Sequence, residues 1–200
     1  MDRPSGHRPS VYLACAIVAG IFAVGIVFFP AIGFRPDIDV AIHTVRFIFK
    51  FIVLVPLALL STAGLFYVSQ PMQPRGDRLV ALLIPVAGLI LGVIIELAVT
   101  PESAWFSRMI GTNSRNCLSI IPALSIFPLA GFMLALKQAA PSNPGFCGAI
   151  AGLAASGIAA VFYASNCFDD SPLFVVLWYP IAMGAVVLTG YLVGRKWLRW

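Results

Sequence analysis

Six stretches of the chain stay apolar for the ~20 residues that a helix needs to cross a bilayer. They run roughly over 11–34, 43–68, 79–100, 117–136, 145–167 and 173–194. Turn and breaker residues fill the gaps: Pro71, Pro74 and Gly76 in the second connection, Pro101 in the third, Pro141 and Pro144 in the fourth. The fifth is tight and spans only Asn166 to Pro172. Prolines also fall inside the runs, at Pro30, Pro56, Pro85, Pro122, Pro128 and Pro180. Neighbouring helices can satisfy the carbonyls these free, so kinked helices are expected. Small residues recur every fourth position at Gly148 and Gly152, with Ser156 and Gly157 beyond, and again at Gly190 and Gly194. Such stripes let helix backbones approach closely, and internal packing is favoured over dimerisation.

Composition agrees with this pattern. Of 200 residues, 60% are hydrophobic and 10% charged, whereas soluble domains run nearer a quarter charged. The expected fold is an all-α membrane protein, a six-transmembrane-helix bundle forming one integral domain over residues 1–200. The run from Val11 to Phe34 is too long for a signal-peptide core and has no small-x-small cleavage site after it. Cys15 opens that run, where a lipoprotein cysteine would follow it, so the segment is read as a retained helix.

Charge adds orientation. Arg3, Arg8, Arg75, Arg78, Lys137, Arg195, Lys196 and Arg199 fall on one side, against Arg35, Arg46, Lys50, Arg108 and Arg115 on the other. Most acidic residues join the second set. The positive-inside rule therefore puts both termini in the cytoplasm. No basic, aromatic-interleaved patch lies outside the apolar runs, so nucleic acid is not expected as a partner.

Candidate chemistry centres on Cys117, which opens the fourth run, and Cys167, which closes the fifth. Membrane crossing brings both to one face, extracytoplasmic in this orientation, with Cys15 and Cys147 near the other. Cys117 follows Arg115 and Asn116 at a helix start, a setting that favours a thiolate. Cys167 precedes Asp169 and Asp170, which disfavour one. The asymmetry suits attack by Cys117 and resolution by Cys167, or a thiophilic cation held by both sulfurs and a carboxylate. A static disulfide or two buried thiols remain open as alternatives. Asp170 or Ser171 is expected to cap the last helix, with Pro172 in its first turn. Glu96 lies at a depth comparable to Arg46 and Lys50, and a structural ion pair with one of them is favoured over a proton path. No phosphate loop, metal-binding Cys-x-x-Cys or Ser/His/Asp set is present, and no enzyme or resident cofactor is expected.

A further pattern runs through the second half: Trp105, Gly111, Asn116, Cys117, Pro122, Pro128, Pro141, Pro144, Gly148, Gly152, Tyr163, Cys167, Asp169, Asp170, Phe174, Trp178, Tyr179, Arg199 and Trp200. In this the chain resembles the NrsF family, six-helix anti-sigma factors of the bacterial inner membrane that restrain the extracytoplasmic-function sigma factor SigF. Lys50 and the Arg35 to Asp37 turn resemble the family's weaker N-terminal features. The resemblance implies that Cys117 and Cys167 sense metal or oxidant stress while the cytoplasmic face holds the sigma factor. Two departures follow. Asn166 stands where relatives often carry His, which shifts the expected chemistry from Cys/His metal binding towards thiols. The cytoplasmic N-terminal arm is also shorter than usual. Capture through it requires an earlier start, help from the Arg75–Arg78 loop and basic C-terminus, or a different mode of binding. A membrane thiol–disulfide oxidoreductase and a small transporter are the competing functions.

Overall fold

The computed structural model describes residues 9–70, 79–139, 141 and 143–198. They form helices α1 (Pro9–Ala31), α2 (Ile38–Ala41), α3 (Val45–Val68), α4 (Leu83–Val99), α5 (Trp105–Ile110), α6 (Ser114–Ala139), α7 (Pro144–Ala164) and α8 (Pro172–Trp197). Six helical stretches are long and apolar enough to cross a membrane. The fourth, Glu102–Ala139, includes both α5 and α6, and it is interrupted at Gly111, whose φ is 61°. A Cβ there would lie 2.7 Å from Asp169 Cγ, so glycine answers both the backbone and the space.

The bundle is built around α7, which packs on α8, α3, α6 and α1. Its buried positions are small: Gly148, Ala151, Gly152, Ala155, Ser156 and Ala159 lie among them. Small side chains let four helices reach one axis, and in an apolar solvent close van der Waals packing is what drives association. The two predicted stripes meet each other. A Cβ on Gly148 would clash with Gly190 O, and one on Gly152 would lie 2.7 Å from Val186 O. A Cβ on Gly194 would lie 2.6 Å from Pro144 O. These pairs run in opposite directions along the chain, so α7 and α8 are antiparallel.

Several boundaries differ from expectation. Helix α6 starts at Ser114 rather than 117, so Cys117 closes its first turn instead of opening it. Helix α7 stops at Ala164, which leaves Cys167 in the connecting loop. Pro85 sits in the first turn of α4, where no intrahelical N–H is needed, and is not an interior proline. Pro56, Pro122, Pro128 and Pro180 are interior as expected, and Pro30 lies in the last turn of α1. Arg3, Arg8, Arg75, Arg78, Arg199 and Trp200 lie outside the described residues.

Candidate functional site

The chain turns at one end of the bundle after α1, α4, α5 and α7, and the loop between α7 and α8 folds inward there. Two cations hold that loop. Arg35, just beyond α1, grips Asp37 through both nitrogens at 2.7 and 2.8 Å. Its third nitrogen donates to Asp170 at 2.7 Å and to the carbonyl of Cys167 at 3.3 Å. The guanidinium also stacks on Phe168, 4.7 Å from the ring centre. Asp37 is held below the usual carboxylate range, chiefly by its hydrogen bond to that guanidinium. Lys50 enters from α3 and is wholly buried. Its ammonium donates to Asp170 at 2.5 Å and to the same Cys167 carbonyl at 3.1 Å. Two cations thus meet two carboxylates, which is how a buried charge becomes tolerable.

A second cluster surrounds Glu96. Arg46 reaches it at 3.1 Å, Arg108 at 2.7 Å, and the Ser171 hydroxyl donates at 3.3 Å. Of the two expected partners for Glu96, Arg46 is realised. Lys50 is not, because it turns towards the α7–α8 loop and pairs with Asp170. Arg108 was not anticipated, since it lies on α5 in a stretch with no long apolar run to signal a helix. Ser171, not Asp170, caps α8 by accepting from Leu173 N, with Pro172 at the first helical position. Asp170 serves the ion cluster instead.

Asp169 faces the other way. One of its oxygens accepts from Thr112 N at 2.9 Å, Asn113 N at 2.7 Å and the Asn113 amide at 3.1 Å. This seats the residue that opens α6, whose carbonyl accepts from Cys117 N. Asn166 donates to Gly33 O at 3.1 Å, and Trp178 donates to Met109 O at 3.0 Å. The loop is therefore tied to the segment after α1, to α3, to α4 and to the α5–α6 connection, while Trp178 ties α8 to α5.

Cys117 and Cys167 sit beneath these ties, both with no exposure and both free thiols. They lie within electrostatic reach of each other and of the Tyr163 and Tyr179 hydroxyls. The loop closes over the pair, a burial that the spacing of the apolar runs did not reveal. Arg115 and Asn116 are exposed while Cys117 points inward, so they do not share its surroundings. Burial pushes the Cys167 thiol up, and Lys50 pulls it back. Among the described residues, no three His, Cys, Asp or Glu side chains gather to hold a metal ion. The carboxylates beside Cys167 are committed elsewhere, so two sulfurs plus a carboxylate is not an arrangement formed here. Cys147 lies at the opposite end, its thiol donating to Val68 O at 3.2 Å, and Cys15 is exposed on α1.

Tyr163 donates to Asn113 O at 3.3 Å, whereas the buried hydroxyl of Tyr179 makes no hydrogen bond of normal geometry among the described residues. An unpaired buried hydroxyl costs about 1–3 kcal/mol. Tyr179→Phe is therefore expected to leave thermal stability unchanged or raise it by a few degrees in a detergent melt. A clear fall would show that the hydroxyl has a partner.

The NrsF family, described as negative regulator of sigma F, matches residues 2–200. A Caulobacter vibrioides (strain NA1000 / CB15N) protein named anti-sigma-F factor NrsF is 29% identical over 206 residues, covering 100% of this chain and 94% of the relative. A probable anti-sigma-F factor NrsF from Azospira oryzae (strain ATCC BAA-33 / DSM 13638 / PS) is 27% identical over 196 residues, covering 97% and 92% respectively. No solved structure matches the chain.

Proposed function

The chain belongs to the NrsF family, and from that membership we propose that it is a multi-pass anti-sigma factor of the bacterial inner membrane. It holds an extracytoplasmic-function sigma factor on its cytoplasmic face and frees it when Cys117 and Cys167 react with an oxidant or a thiophilic metal ion. The lipid bilayer covers its apolar flanks, and both termini face the cytoplasm. Lys137, Arg195 and Lys196 lie in the last turns of α6 and α8, at the end opposite the cysteines. That distribution supports the orientation.

The observation that carries the sensing half is the burial of two free thiols under one clamped loop. Disulfide formation removes two protons and two electrons, both electrons passing to the oxidant. It also demands a Cα separation of about 4.4–6.8 Å and a defined dihedral. A metal bound by both sulfurs demands its own geometry. Either product competes with the hydrogen bonds that fix Cys167, so the loop has two arrangements to choose between. Release follows only if those arrangements differ in affinity for the sigma factor.

The test is transcription from a sigma-F-dependent promoter with and without oxidant or metal stress. Cys117→Ser and Cys167→Ser are each expected to lose the stress-induced rise, whatever their resting level. A normal rise in both variants removes the sensing claim.

A further inference from the structure

Cys167 is fixed at its main chain on both sides. Its N–H donates to Tyr163 O at 3.0 Å, at the end of α7. Its carbonyl accepts from Lys50 on α3 and from Arg35 beyond α1. A loop carbonyl needs one partner; this one takes two cations from separate elements. Charge-assisted hydrogen bonds are about twice as strong as neutral ones. Charge balance accounts for Lys50 beside Arg35, which alone would face both Asp37 and Asp170, but it does not require either cation to reach a main-chain carbonyl. What Lys50 adds is a second hold on the Cys167 carbonyl, from a side chain that is wholly buried.

We infer that Lys50 and Arg35 are positioning residues for Cys167, holding its carbonyl and thereby keeping its sulfur beside Cys117 and out of reach of solvent. Neither touches the sulfur. They hold it through the backbone, and the clamp sets how readily the loop opens. Lys50 also favours the Cys167 thiolate, so its loss by itself slows labelling and an acceleration reports opening. The cellular consequence rests on the sensing function proposed above: an opened loop corresponds to the released state.

The experiment uses the full chain in detergent, treated with N-ethylmaleimide, with labelling at each cysteine followed by peptide mass spectrometry. Lys50→Met is expected to speed labelling of Cys167 at least about tenfold, because charge-assisted bonds no longer oppose local opening. Cys147, buried at the opposite end, should keep its wild-type rate, and Cys15 serves as the exposed reference. Arg35→Gln reads the same clamp and spares the buried pair, since Asp170 keeps Lys50 and the freed Asp37 is half-exposed. Wild-type labelling of Cys167 in both variants would overturn the inference. So would equal acceleration of Cys147 and Cys167, which reports a loosened bundle and not a released loop. The same variants are expected to raise unstressed sigma-F-dependent transcription. Selective opening of Cys167 without any change in transcription leaves the positioning intact and counts against the sensing function.

Discussion

Gly148→Leu is expected to prevent α7 and α8 from packing, with no thermal transition above that of an unfolded control and no monodisperse peak on size exclusion in detergent. The reason is backbone against backbone. The Cβ alone would overlap Gly190 O, and Gly194 Cα lies only 3.0 Å from its position. Neither can step aside as a side chain could. Ordinary overpacking costs about 1–3 kcal/mol, and a leucine here adds three further carbons at the point of tightest approach. The contact between α7 and α8 is also the most extensive in the bundle, so nothing larger compensates. Gly184→Ala supplies the control. Its added Cβ meets nothing within 4 Å, and alanine in a helix interior gains about 0.5–1 kcal/mol over glycine. A Gly148→Leu protein that melts like wild type would show that the helices do not approach as described.

Asp170→Ala should be the next most damaging change, lowering stability by about 3–5 kcal/mol, the cost of leaving a buried charge without its partner. Arg35 keeps Asp37, but Lys50 has no exposure and, among the described residues, no other carboxylate bonded to it. Glu96→Ala is the matched comparison. It also deletes a buried carboxylate, yet the side chains of Arg46 and Arg108 are 45% and 34% exposed and can turn to water. Asp170→Ala should therefore melt at the lower temperature of the two. The reverse order would mean that Lys50 finds another partner when Asp170 is removed.

These two residues were not equally legible in the sequence. Gly148, Gly152, Gly190 and Gly194 stood out because a four-residue spacing of small residues has one physical use in an apolar helix. What spacing could not say was that the two stripes face each other, although antiparallel neighbours joined by a seven-residue turn made it natural. Lys50 was visible as a charge needing a partner, but its depth in the helix pointed to Glu96 and not to Asp170 in the α7–α8 loop. The rotation of α3 against the α7–α8 loop decides between them, and no local pattern encodes that rotation. Arg108 was hidden for another reason. The segment from Pro101 to Gly111 mixes Trp105, Phe106 and Arg108 over too few residues for a period to show. The common end of the two cysteines followed from counting crossings. Their burial did not, because a short loop can lie flat or fold inward, and the side chains of Arg35, Lys50, Glu96 and Asn113 draw this one in.

Asp169 has a consequence for how the protein is made. The main-chain groups of Thr112 and Asn113, which seat the start of α6, are held by a carboxylate 57 and 56 residues further along the chain. During synthesis α6 can form before that carboxylate exists, but its first turn stays unanchored until the α7–α8 hairpin follows. Cys117 therefore spends an interval of biogenesis outside the enclosure it later occupies, without Cys167 beside it. Thiol reagents acting on nascent chains should reach Cys117 in products truncated before residue 169 and lose that access once the hairpin is complete.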